Sequence, residues 1–196
     1  MTNRPRAWAR LISSVVSAVL AVLCIALSLG VAARVGAEST EYSVKAAFIY
    51  NFAKFVEWPS ESFAGDKPFV IGVLGQDPFK RVLDEAVSGK TVREKRIVVK
   101  RVSRIEDATD CHILFISDSE KDDLARIIKH LDRLPVLTVS DVGRFADRGG
   151  MIQLVMDQNR VRFAINLAAT EQTGLKPSSQ LLKLARIVTK PVKAEE

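Results

Sequence analysis

The segment CHILFIS, Cys111–Ser117, is seven residues long and apolar almost throughout. It is short for a helix and shows no alternation of polar with apolar side chains, so both of its faces need cover. Strands of this kind lie inside parallel sheets, whose crossover helices pack on the two sides. One such strand implies others and the helices between them.

Working outward, both flanks supply them. Ser117 or Ser119 can cap a helix running to about Leu131, and PVLTV, Pro135–Val139, reads as a second buried strand. Upstream, Phe69–Leu74 is another continuous apolar run, closed by Gly75. Asp77-Pro78 then offers a helix cap followed by proline at the first helical position, with the helix spanning Pro78–Val87 and stopping near Gly89. RIVVKRV, Arg96–Val102, mixes charged and apolar residues as a half-exposed edge strand does. The order is strand, helix, strand, repeated, which is the pattern of an α/β domain.

After a helical or looped piece around Asp141–Asp147, Gly149-Gly150 interrupts the chain. Two strands follow, Met151–Met156 and Arg160–Ile165, joined by a polar turn and expected to form a hairpin. Asn166 and Ser178 are placed to cap two final helices, separated by Gly174 and Pro177. The whole reads as one domain around a central mixed sheet.

The first 37 residues stand apart from this domain. Arg4, Arg6 and Arg10 precede an uncharged run of 23 residues, Leu11–Ala33, and Val35-Gly36-Ala37 offers the small side chains of a signal-peptidase site. The expected organisation is a signal peptide over 1–37, a domain over 38–190 and a disordered tail over 191–196. The alternative is an uncleaved anchor, because 23 residues suffice to span about 30 Å of hydrocarbon. A lipidated Cys24 fits less well, since the preceding Leu23 is large. Removing the leader lowers Lys plus Arg from 29 to 25 against 23 Asp plus Glu, so the net charge falls from +6 to about +2. Nucleic acid is not an implied partner. Cys111 is then the sole cysteine, and no internal disulfide can form.

Catalytic signatures fail one by one. Gly89-Lys90-Thr91 resembles the end of a phosphate loop, but position 84, where the first glycine belongs, is Asp84. Gly72 and Gly75 lack the third glycine of a dinucleotide fingerprint. His112 and His130 are the only histidines and sit on separate elements, and Cys111 and His112, being strand neighbours, point to opposite faces. SDSEKDD, Ser117–Asp123, lacks the glycine and closing glutamate of a calcium loop, and acidic residues in a first helical turn simply oppose the dipole. No enzyme, metal or cofactor is expected.

EYSVKAAFIYNFAKFVEWP, Glu41–Pro59, holds six aromatic rings. Its spacing predicts a helix to Trp58 with an inward stripe of Val44, Ala47, Phe48, Phe52, Phe55 and Val56. Tyr50, Asn51 and Lys54 fall off that stripe, where they suit either a binding surface or a solvated face. Trp58, at the end, can pack its ring while its indole N–H seeks a partner.

YSVKAAFIYNFAKFVEWP, CHILFIS, GGMIQLV, VRFAINL and LKPSSQLLKLARIV, in this order behind a leader, resemble the YfiR/HmsC-like family of exported bacterial proteins. The resemblance implies a single-domain α/β/α sandwich in the periplasm, with a mixed, mostly parallel sheet. It implies a non-catalytic protein, often a homodimer, that binds the periplasmic domain of an inner-membrane diguanylate cyclase or histidine kinase. With a cyclase partner it would hold cyclic-di-GMP and biofilm formation low. The alternatives are a solute-binding module and a hydrolase with an unusual site. Cys111 stands at a family cysteine position without its bridge partner, so redox control through an internal disulfide is not expected, and an intermolecular bridge requires an exposed thiol. The candidate ligand or partner residues are Tyr50, Asn51, Lys54, Trp58, Arg162 and Asn166. Arg162 should point away from Val161 and Phe163, and Asn166 doubles as a helix cap.

Overall fold

In the computed structural model the heptapeptide supplies strand β5, Ile113–Ile116, and its side chains serve two cores in turn. Ile113 and Phe115 enter one apolar cluster, while Leu114 and Ile116 enter another on the opposite face. All four are fully buried. Burying such a side chain contributes about 1.5–3 kcal/mol, so this strand alone ties the two layers firmly to the sheet.

The structure describes residues 40–189. The expected leader, 1–37, and tail, 191–196, lie outside the described residues. Among those described, no helix is long and apolar enough to cross a membrane.

Helix α1 covers 40–55. It leads through β1, Val56–Glu57, and a 3-10 turn, Ser60–Phe63, into β2, Phe69–Leu74. Helix α2, Val82–Val87, the short β3, Thr91–Val92, and the long β4, Lys95–Val102, come next. A second 3-10 turn, Ile105–Ala108, precedes β5. Beyond β5 lie a third 3-10 turn, Asp118–Glu120, helix α3, Leu124–His130, and β6, Leu137–Ser140. The hairpin β7, Ile152–Asp157, and β8, Arg160–Asn166, follows. Helix α4, Leu167–Gln172, β9, Lys176–Pro177, α5, Ser179–Leu184, and β10, Arg186–Val188, complete the domain.

Eight strands form one sheet in the order β10-β8-β7-β6-β5-β2-β4-β3. Its pairs are parallel except β7 with β8 and β3 with β4. Helices α1, α2 and α5 contribute to the core on one face, and α3 to the core on the other. The fold is the expected α/β sandwich with a mostly parallel sheet and a late hairpin. The hairpin turn, Gln158-Asn159, takes positive φ at both residues, 47° and 59°, as a tight two-residue connection requires.

Four local readings differ from the structure. The first helix ends at 55 rather than 58, because Val56 and Glu57 pair antiparallel with Pro177 and Lys176. Its inward stripe is also rotated: Val44 is 40% exposed whereas Lys45 is 3% exposed. Lys45 Nζ lies 2.6 Å from Asp141 and 2.5 Å from Glu41, and the Tyr42 hydroxyl donates to the same Asp141 carboxylate at 3.0 Å. A buried cation so paired replaces the apolar side chain that spacing alone suggests. The α2 helix starts at Val82, not Pro78. Asp77 spends its carboxylate on the amides of Phe79 and Lys80, and Lys80 adopts φ 54°, which no right-handed helix tolerates. The helix expected from Ser117 begins only at Leu124, because the chain leaving β5 is held against β2: Ser119 Oγ accepts from the Gln76 amide at 2.9 Å.

Candidate functional site

In open sheets of this kind, ligands settle beyond the carboxyl ends of the strands where the chain reverses direction across the sheet. Here that reversal lies between β2 and β5, since the chain runs from β2 out to β4 and returns to β5 on the other side. The position is filled by the protein itself. Gly75, at φ 85°, lies so close to Ser119 and Glu120 that a Cβ would strike both side chains.

The prominent open chemistry lies at the other end of α1. Tyr50 and Lys54 occupy successive turns of that helix, and the Lys54 ammonium sits 5.6 Å from the Tyr50 ring centre and 5.8 Å from that of Phe55. The Lys90 ammonium approaches the same Tyr50 ring at 4.1 Å. Beyond it, β3 and β4 form a hairpin in which Thr91 pairs with Arg96 and Val92 with Lys95. The two turn residues, Arg93 and Glu94, both take positive φ, 46° and 66°. This projects the Arg93 guanidinium over Phe63, 4.8 Å from the ring centre. Four of the five cation–ring contacts among the described residues therefore gather on one surface. Each contributes about 0.5–1 kcal/mol at an exposed site, enough to orient a long cationic side chain.

Between α1 and the hairpin lies a cleft of about 340 Å³ with Lys54, Trp58, Phe63, Val92 and Arg93 among its walls. Of the six residues expected from the sequence, Tyr50, Asn51, Lys54 and Trp58 fall on this end of α1. Asn51 is exposed, and Trp58 is almost wholly buried. The Trp58 ring packs edge-on to Phe69 at 5.2 Å, and its Nε1–H donates to the His112 carbonyl at 3.2 Å. It forms the floor of the cleft rather than a free contact.

Arg162 and Asn166 do not join them. Arg162 is exposed and paired with Asp157 at 2.9 Å, on the side of β8 opposite Phe163, whose ring meets Phe48 and Phe52 of α1. Asn166 is fully buried and committed: its Oδ1 accepts from the Ala169 amide at 3.1 Å and its Nδ2 donates to the Ala146 carbonyl at 2.9 Å. It is a helix cap tied to the neighbouring loop. Arg93 and Phe63 carry no expectation from the sequence, and Lys90 enters it only in the rejected phosphate-loop match Gly89-Lys90-Thr91. The signal available was the basic density of GKTVREKR, residues 89–96, around a turn.

A second cleft, about 450 Å³, borders the start of β5 and includes Ser62, Lys67, Lys100, Cys111 and His112. His112 acts there as a bolt. Its Nδ1 accepts from the Val70 amide at 3.1 Å and its Nε2–H donates to the Ser62 carbonyl at 3.0 Å, with the ring stacked 4.4 Å from Phe69. Burial holds its pKa below the usual histidine range, against the opposing effect of the Ser62 hydrogen bond. Cys111 is buried too, and burial pushes its thiol up to about 11. The exposed thiol that an intermolecular bridge requires is thus not present at Cys111. Among the described residues, no cluster of His, Cys, Asp and Glu could hold a metal ion.

A crystal structure of a conserved domain protein from Vibrio cholerae is similar to this chain at 12% identity and a TM-score of 0.48. The match covers 61% of this chain and 54% of that one, so the chain spans about half the length of the solved protein. The family model described as YfiR/HmsC-like matches residues 42–186, nearly the whole described domain. The chain belongs to the YfiR/HmsC-like family.

Proposed function

We propose that this protein is exported by its N-terminal leader and restrains an inner-membrane signalling enzyme by gripping that enzyme's periplasmic domain. The enzyme in this reading is a diguanylate cyclase, and its restraint lowers cyclic-di-GMP and biofilm formation. The observation that carries the reading is the basic, aromatic surface at the end of α1, built for contact rather than bond-making. Family membership supports the regulatory role.

The mechanism asks for no chemistry from the protein. A binder that prefers one conformation of its partner shifts the partner's population by its differential affinity. Moving an equilibrium from 1:99 to 99:1 takes a preference of about 10⁴-fold, roughly 5.5 kcal/mol, which a few well-placed contacts can supply. Deleting the gene and measuring cellular cyclic-di-GMP by mass spectrometry tests the reading. A rise is expected, reversed by supplying the gene in trans; an unchanged level would contradict it.

A further inference from the structure

We propose that the cleft between α1 and the β3–β4 hairpin receives an extended acidic segment of the membrane partner, with one aromatic or branched side chain entering between flanking carboxylates. This rests on the partner-binding reading and specifies its chemistry.

The cleft's floor is apolar, with Trp58 4% exposed, Val56 5% and Val92 8% and Phe63 in the wall, while polar atoms supply more of its open surface than apolar ones. Its volume of about 340 Å³ suits a single large side chain rather than a domain. The rim is cationic. Lys54 and Arg93 line it, Lys90 stands beyond on Tyr50, and Glu57 is its one acidic residue. Apolar floor and cationic rim together ask for a ligand that is greasy at the centre and anionic at the flanks.

How these cations are held strengthens the case. Several cations of the domain meet carboxylates, as Lys95 meets Asp66, Arg101 meets Asp77 and Asp84, Arg126 meets Asp123 and Arg162 meets Asp157, while others, among them Lys129, Arg144 and Lys183, form no ion pair among the described residues. Lys54, Lys90 and Arg93 form no ion pair among the described residues and rest instead on ring faces. A ring orients a cation without neutralising it, so the charge stays available to an incoming carboxylate. Arg93 also occupies a turn position that Asn or Gly would fill without backbone strain. Its side chain, not its backbone, gives the position a use.

Trp58 makes the test direct. The chain's other tryptophan is Trp8, and the full chain carrying Trp8→Phe reports from the cleft floor alone. The probes are acetyl-EEFEE-amide, acetyl-EEGEE-amide and acetyl-KKFKK-amide, titrated at about 20 mM and about 300 mM NaCl to vary screening. EEFEE should change Trp58 emission saturably, more tightly at low salt, with EEGEE weaker and KKFKK silent. Lys54→Glu with Arg93→Glu should weaken EEFEE by tenfold or more, and the milder Lys54→Gln with Arg93→Gln by less, both with an unchanged far-UV CD spectrum. No response to EEFEE, an equal response to KKFKK, or full affinity in the charge-reversed variant overturns the proposal. So does a Trp58 shift driven by protein concentration alone, which would make the cleft an interface between two copies. If EEFEE fails while gene deletion still raises cyclic-di-GMP, the cleft is wrong and the regulatory reading stands. If EEFEE binds while deletion changes nothing, the reverse holds.

Discussion

The Trp58 indole donates to the carbonyl of His112 at 3.2 Å, joining the chain that leaves α1 to the residues entering β5, 54 positions later. The same histidine uses both ring nitrogens on the Ser62 carbonyl and the Val70 amide. One residue thereby fastens three segments, and of these the chain from Trp58 to Phe63 borders the proposed docking cleft. Trp58→Phe keeps most of the packing and removes one hydrogen bond to a carbonyl that still accepts from the Leu137 amide at 2.8 Å, and should cost about 0.5–1.5 kcal/mol. Trp58→Ala should cost about 3–5 kcal/mol. Urea denaturation followed by far-UV CD measures both.

His112 gives stability a pH dependence of known sign. Its pKa is depressed in the folded state by burial, so the folded protein binds fewer protons than the unfolded chain just below roughly pH 6.5. Its contribution is fully present above that pH and is lost as pH falls toward the depressed folded value. Protonating Nδ1 would also set a donor against the Val70 amide. Melting temperature should therefore drop as pH falls below roughly 6.5, and His112→Gln should flatten that part of the profile. A variant profile parallel to wild type would assign the drop to other groups.

Two glycines separate packing from backbone effects. A Cβ on Gly150 would run into the Phe145 ring, itself fully buried, whereas Gly143 has open space around its Cβ position. Gly150→Ala should destabilise by about 2 kcal/mol or more, through overpacking. Gly143→Ala should stay within about 0.5 kcal/mol of wild type. Thermal melts of the two variants side by side check this.

Asp141 holds two side chains of α1, the Lys45 ammonium and the Tyr42 hydroxyl. Asp141→Ala leaves a buried cation with Glu41 as its remaining ion-pair partner, and should cost about 3 kcal/mol. Hydrogen exchange should then rise in the first turns of α1 before the centre of the sheet. Uniform loosening would instead point to a wider disruption.

The thiol of Cys111, buried and pushed up to about 11, should be nearly inert toward a thiol reagent at neutral pH and react fully in denaturant. Rapid native modification would contradict its placement beside Gly72.

What could be read in advance follows the range of the forces involved. Apolar runs such as Cys111–Ser117 and Phe69–Leu74 carry their own signature, so the α/β class was legible. So were the caps Asn166 and Ser178, which act on amides three residues away. The rotation of α1 was not, because Lys45 turns inward only to meet Asp141, 96 positions on. Nor was the late start of α2, which depends on a left-handed Lys80. The candidate surface was half legible: Tyr50, Asn51 and Lys54 lie on the last turns of α1 and Trp58 three residues beyond it, whereas Phe63 comes from the following 3-10 turn and Lys90 and Arg93 reach it only through the folding of a hairpin onto that end. Arg162 and Asn166, bracketing the Phe163 stretch, looked near in sequence terms but serve the far face of β8 and the α4 cap.

Photocrosslinking in living cells tests the central claim most directly. A photoreactive amino acid in place of Lys54, followed by mass spectrometry of the linked peptides, should identify an acidic periplasmic segment of an inner-membrane cyclase. Links confined to a second copy of the chain, or an equal yield from the same probe placed at Met156, would contradict it.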